Sequence, residues 1–412
     1  MKKIELLLAA PTFYPFYGGA EMRFRRYLPL LREQGIESSV FTGTPKAKKI
    51  TENHKKEPWY SVDYGERLPR EEYQGIEVVR YRLPERPAKK RLGIYHLRLR
   101  EAIKSHCNDI DVIQFLSPFS MNAVGTFEYA KKHNVATVVA CTLAKTSHPN
   151  LIKRFIRNNQ TKKLYSSADC VVVSSEEMKD YLLAYGIDNR IEVIGNGVDT
   201  QVYKPADSLV DKENLKKKLG INIDKKILLS VGTVHPRKGT DLLLKAFKHV
   251  LQTRDDVELY VAGSRVDMID ASLDGFHQEI NELIAKPQMK GRVHFLGLVD
   301  NVDEYMKASD VFVFPSREEG MGNVVMESMA SGLPVVVTPY LGFPSVFGEN
   351  HKHYLLSDFD EMLIAENIDK LLTDLNTRAQ IVDSSLQHVR NELHLEKSIQ
   401  LYASLYRELA SK

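Results

Sequence analysis

Short runs rich in apolar residues punctuate the chain at 4–10, 36–41, 76–81, 112–115, 136–140 and 170–173, and again at 227–231, 257–262, 293–296, 311–314 and 335–337. Runs of this length, bounded by Gly, Pro or polar residues, mark strands buried on both faces. Between them apolar residues recur at helical spacing, as with Leu28, Leu30 and Leu31 ahead of Gly35. The segments 364–375 and 395–409 read as amphipathic helices for the same reason. Strands alternating with helices predict parallel sheets. The clearest unit is 311–338: a strand closed by Pro315, a helix with Asn323 as its expected N-cap, a stop at Gly332 and Pro334, and a second strand.

Ligands of parallel sheets sit outside the carboxyl ends of the strands. The loop 315–322 lies at such an end and carries Glu318, Glu319, Gly320 and Gly322. Its glycines let backbone approach a ligand, and the free N–H groups of the helix start favour a phosphate. Glu327 follows on the helix, on the order of 8 Å down its axis. That separation suits a ligand with hydroxylated ends and phosphates between them. Glu318 is read as a solvated neighbour.

These residues resemble the signature of glycosyltransferase family 4, in which two glutamates flank seven residues in an EGxG context, as Glu319 and Glu327 do here. The resemblance implies an α/β fold of the GT-B type, two Rossmann-like domains with parallel sheets facing across an inter-domain cleft. It also implies a retaining, nucleotide-sugar-dependent hexosyltransferase. Glu319 would then contact the donor sugar and Glu327 the ribose, with Gly320, Met321, Gly322, Asn323 and Val324 binding the donor between them.

A second glycine-bearing loop precedes the helix at 240–253 and reads GTVHPRKG over 232–239. A lysine and an arginine at such a mouth can balance phosphate charge. By the resemblance Lys238 contacts the donor pyrophosphate. The position where the family usually has arginine holds Thr233, and Arg237 beside Lys238 has two readings, a replacement cation or a side chain turned to water. Lys238, Arg237 and Glu319 are therefore the expected catalytic residues: the two cations, with the N–H groups after Gly320, stabilise a diphosphate that leaves with growing negative charge, while Glu319 holds the sugar. Gly263 and Leu298, after two further strands, match family positions whose backbone faces the nucleotide.

In the first half, Gly18 and Gly19 fit two readings equally: a plain turn, or, by the resemblance, a loop near the donor phosphates and the acceptor. The family usually has a histidine after the strand at 136–140. Thr142 occupies that place, with His148 nearby as a surface loop residue, and this weakens the implied assistance on the acceptor side. Asn196, Gly197, Val198 and Asp199 match the family's NGVD motif. The expected division is an N-terminal acceptor domain over 1–200, a donor domain over 201–393, and a last helix over 394–412 that packs back on the first domain.

Composition narrows the class further. With 412 residues, 43% hydrophobic and 27% charged, the chain suits a globular enzyme of two or three domains. Cys107, Cys141 and Cys170 are too widely spaced for a disulfide framework or a zinc site, which points to a cytoplasmic protein. The N-terminal MKKIELLLAA imitates a signal peptide, but its apolar run is short and reads as a first strand. Asp109 and Asp111 form a DxD, yet Asp111 sits at a strand start, so no metal is expected.

The basic stretches 86–104 and 145–163 read best as solvated faces, with peripheral contact at the inner face of a membrane as the alternative. Nucleic acid is not an expected partner, since no aromatic platform interleaves with the basic residues. The expected partners are a UDP- or GDP-linked sugar donor, with no other cofactor, and a glycan or lipid-linked acceptor of cell-surface polysaccharide or glycoconjugate synthesis. Two rival readings stay open: a sugar-nucleotide-binding partner protein that has lost turnover, and a nucleotide-sugar epimerase of the same fold.

Overall fold

A computed structural model describes residues 3–11, 13, 19–43, 70–81, 88–106, 109–116, 122–141, 151–265, 273–340 and 343–411. The chain divides into two compact units, one of Met1–Gly195 with Glu396–Lys412, the other of Asn196–Leu395.

The first unit is built on β1 (Ile4–Ala10), α1 (Gly19–Glu33), β2 (Ile36–Gly43), β3 (Arg70–Tyr73), β4 (Ile76–Tyr81), α2 (Ala88–His106), β5 (Val112–Leu116), α3 (Asn122–Lys132), β6 (Ala136–Ala140), α4 (Leu151–Ser166), β7 (Cys170–Val173), α5 (Glu176–Ala184) and β8 (Ile191–Val193). Its eight described strands run in the order β3-β4-β2-β1-β5-β6-β7-β8. The long apolar runs are its central strands, with Leu7, Phe41, Ile113, Phe115, Val139 and Val171 packed against Leu99, Phe127, Tyr165 and Leu182 of the helices.

An all-parallel sheet was the expectation, and one edge departs from it. β3 pairs antiparallel with β4 through a tight turn at Gln74 and Gly75, both at positive φ (50° and 78°), the geometry that a two-residue hairpin requires. Asp111 is structural: its carboxylate accepts the Glu5 N–H at 3.0 Å and ties β5 to β1.

The second unit holds α6 (Leu209–Lys218), β9 (Lys226–Val231), α7 (Thr240–Thr253), β10 (Val257–Ala262), α8 (Asp274–Ile284), β11 (Val293–Gly297), α9 (Val302–Ala308), β12 (Val311–Phe314), α10 (Asn323–Ala330), β13 (Val335–Val337), β14 (Leu355–Leu356), α11 (Glu361–Thr373) and α12 (Leu375–His388). Its six described strands, ordered β11-β10-β9-β12-β13-β14, pair in parallel. Successive strand residues face opposite sides, so each strand feeds two cores. Leu228, Leu259, Val311 and Val313 meet Leu243, Phe247, Ile280 and Ile368 on one face. Leu229, Tyr260, Phe312 and Phe314 meet Met306, Val325, Met326 and Met329 on the other.

At the start of β12 the buried Asp310 accepts the Ile227 N–H at 2.8 Å and pairs with Lys212 at 2.8 Å, Lys216 at 3.5 Å and Arg378 at 3.8 Å. One carboxylate thus fastens β9, α6 and α12 together.

After the second unit the chain returns as α13 (Leu395–Ala410), most of which belongs to the first. Tyr402 packs edge-on against Phe24 and Tyr27 of α1 at 5.6 Å each. Tyr406 donates its hydroxyl to the buried Gln114 side chain at 2.9 Å, and Arg190 forks onto Glu408 at 2.6 and 2.7 Å. Among the described residues no helix is long and apolar enough to cross a membrane.

Candidate active site

In the second unit the carboxyl ends of β9, β10, β11 and β12 lie along one edge of the parallel sheet. The loop after β9 folds into a tight turn over Pro236–Lys238, capped by the His235 ring, whose Nδ1 accepts the Arg237 N–H at 3.0 Å. Gly239 follows at φ 69°, and a Cβ there would lie 1.9 Å from the Pro315 carbonyl oxygen. Only glycine lets this loop close against the loop after β12.

Polar contacts join the two loops. Arg317 donates its N–H to the Arg237 carbonyl at 2.8 Å, and Arg237 returns its guanidinium to the Glu318 carbonyl at 2.7 Å. Arg317 also reaches the Pro236 carbonyl at 2.6 Å and forks onto Asp241, in the first turn of α7, at 2.8 and 2.7 Å. Two loops far apart in sequence are thereby held as one surface.

Lys238 and Glu319 occupy its centre. The Lys238 ammonium donates to Glu319 Oε1 at 2.5 Å, and the Ser316 hydroxyl reaches the same oxygen at 2.7 Å. Arg237 lies 3.4 Å from the other carboxylate oxygen. Glu319 is 8% exposed, and the Lys238 ammonium rests 5.4 Å from the centre of the Phe314 ring. Burial, aided by the neighbouring Arg237 charge, holds the Lys238 ammonium below its usual range despite the opposing pull of Glu319.

The other expected residues are spread along this edge. Gly320 and Met321 precede the helix α10, with Asn323 and Val324 in its first turn. The N-cap is Gly322, not Asn323. Gly322 adopts φ 78°, a left-handed cap that a glycine fills without strain, and Asn323 instead accepts the Asn196 side-chain amide at 2.8 Å. Among the described residues the N–H groups of Gly320, Gly322 and Asn323 are committed to no hydrogen bond.

Glu327 lies half-buried on α10, its carbonyl taken by the Ser331 N–H and hydroxyl. Gly263 follows β10 with its N–H on the Gly297 carbonyl at 2.8 Å, and Leu298, 70% exposed, follows β11. Thr233 sits half-buried in the loop after β9. In the first unit Gly19 opens α1, whereas Gly18, Thr142 and His148 lie outside the described residues, as does Cys107.

Ser316, Arg317, Asp241 and Tyr340 were not foreseen. The Tyr340 hydroxyl donates to the Met321 carbonyl at 2.6 Å. No spacing in the sequence announces contacts between residues so far apart.

The comparisons with known proteins decide the family. Residues 17–202 match the model for Glycosyltransferase Family 4, and residues 211–388 match that for Glycosyl transferases group 1. This chain belongs to glycosyltransferase family 4. The transferase is similar to the lipopolysaccharide core biosynthesis mannosyltransferase LpsB of Rhizobium meliloti, 29% identical over 60% of this chain and 68% of that protein. It is also similar to a D-inositol 3-phosphate glycosyltransferase of Corynebacterium efficiens, 28% identical over 67% of this chain and 64% of that one. The chain thus matches about two thirds of the length of these relatives. Among solved structures, HepE of Anabaena in complex with UDP superposes with a TM-score of 0.74 at 19% identity, over 98% of this chain and 100% of that one. The fold of the transferase is GT-B.

Proposed function

We propose that this transferase moves a hexose from a nucleoside diphosphate sugar to a glycan or lipid-linked acceptor, with retention at the anomeric carbon, in the assembly of a cell-surface polysaccharide or glycoconjugate. In this reaction the bond from the anomeric carbon to the diphosphate breaks and its electron pair leaves on a phosphate oxygen. A bond to the acceptor oxygen forms, and the acceptor hydroxyl gives up its proton.

The observation that carries the reading is the partly desolvated ammonium of Lys238 held against Glu319 beside the start of α10. Fixed positive charge is most effective where water is displaced and negative charge develops. Lys238, Arg237 and the uncommitted N–H groups of Gly322 and Asn323 would take the departing diphosphate. Glu319 would accept a sugar hydroxyl, and Glu327 a ribose hydroxyl. HepE was solved with UDP and the Rhizobium relative is named for mannosyl transfer, so UDP- and GDP-hexoses are the donors to try first. The basic sequence of α4 is compatible with a peripheral lipid-surface contact that brings a lipid-linked acceptor.

The test is release of UDP or GDP from a panel of sugar nucleotides by the protein and by Lys238→Ala. The variant is expected to lower release by about 10²-fold or more, and undiminished turnover would overturn the reading. An altered sugar nucleotide formed with no acceptor present would favour the epimerase instead.

A further inference from the structure

Tyr340, just beyond β13, is 1% exposed, and its ring stands edge-on to Phe314 at 5.9 Å and to Phe343 at 5.1 Å. Phe314 is the ring over which the Lys238 ammonium sits. Tyr340 and Lys238 are therefore seated on the same aromatic support. A Cβ at Gly322 would lie 2.5 Å from the Tyr340 Oη, so the backbone here is pressed onto the phenol and admits no side chain.

The hydroxyl donates to the Met321 carbonyl at 2.6 Å. Burial, and the nearby Glu319 charge, push the phenol well above its usual range, so it remains a donor across the working pH span. In a trans peptide the C=O and the following N–H point in opposite directions. Anchoring the Met321 carbonyl on a core phenol therefore turns the Gly322 N–H outward, to the side away from the core.

We propose that Tyr340 is a positioning residue for the donor diphosphate: its hydroxyl orients the Met321–Gly322 peptide so that the Gly322 and Asn323 N–H groups face the phosphates. This inference rests on the donor-binding reading given above. Tyr340 acts through the peptide and touches no substrate.

Tyr340→Phe removes one oxygen and keeps the ring. Binding of UDP and of GDP is measured by calorimetry for the unaltered protein, Tyr340→Phe and Lys238→Ala, together with thermal midpoints. Tyr340→Phe is expected to weaken the better-bound nucleotide about tenfold while shifting the thermal midpoint by only a few degrees. A purely structural phenol would instead lower the midpoint and leave affinity unchanged. Unaltered affinity in Tyr340→Phe alongside weakened binding in Lys238→Ala overturns the inference and leaves the donor-binding reading standing. Unaltered affinity in both variants, or no binding by the unaltered protein, overturns both.

Hydrogen exchange on the unaltered protein gives a readout independent of any variant's folding. UDP or GDP is expected to slow exchange at Gly322 and Asn323. Exchange unchanged at a concentration that saturates binding overturns the inference.

Discussion

In the proposed reaction Lys238 would have to carry a proton to balance a diphosphate, yet burial disfavours that proton and Glu319 favours it. In the free enzyme kcat/KM should therefore fall as pH rises through a Lys238 pKa lying below the usual amine range. Glu319→Gln removes the cause that raises this pKa. The alkaline limb of the kcat/KM profile is expected to move to lower pH in that variant, and an unmoved limb would assign it to another group. Lys238 and Glu319 stand 81 residues apart in sequence, and the structure brings them within 2.5 Å. The glycine-rich EGMG and RKG stretches could be picked out because their composition is unusual. Ser316, Arg317, Asp241 and Tyr340 could not, since each is an ordinary residue whose partner lies on a loop that only the fold brings near.

Elements buried on both faces were the legible ones. β12 and β13 read as unbroken apolar runs, and β9 and β10 as nearly so, because neither side of the sheet meets water. β3, with the sequence REEY at a sheet edge, has no such run to betray it. α12 was missed for a related reason, since Ile381 and Ser385 are its buried residues and leave no apolar stripe. Its contribution comes through Arg378, which with Lys212 and Lys216 surrounds Asp310. Asp310→Asn would strand buried cations without their counter-charge, and a loss of roughly 3 kcal/mol is expected in denaturant titration.

Another element-scale effect belongs to α2. The His96 ring is enclosed beside Phe115 and 3.4 Å from the Thr126 hydroxyl, and burial with the Arg100 charge lowers its pKa from 6.5 to about 4. A depressed folded pKa gives stability that is present above pH 6.5 and is lost as pH falls toward 4. Between pH 6.5 and 5 the loss is about 2 kcal/mol. His96→Phe should show a flatter decline in urea midpoint across that window, and an equally steep one would remove His96 as its cause.

At the scale of the whole molecule the chain crosses between units twice, and both crossings are tied down locally. Val198 donates its N–H to the Leu393 carbonyl at 2.7 Å and accepts the Leu395 N–H at 3.0 Å. A Cβ on Gly197 would lie 2.5 Å from Leu395 Cα, so Gly197→Ala should prise these segments apart and lower the thermal midpoint by several degrees. The NGVD motif thus has a structural duty here as the outgoing member of a paired crossing.

Because α13 completes the first unit yet is made after the second, a ribosome must deliver every residue of Asn196–Leu395 before the β1–β8 sheet can acquire its last packed helix. Until then Phe24, Tyr27 and Gln114 await Tyr402 and Tyr406 with their apolar and amide surfaces open to water. A nascent fragment ending at Gly195 should consequently be sticky and chaperone-dependent, and a synthetic peptide of residues 396–412 added in trans should quiet it.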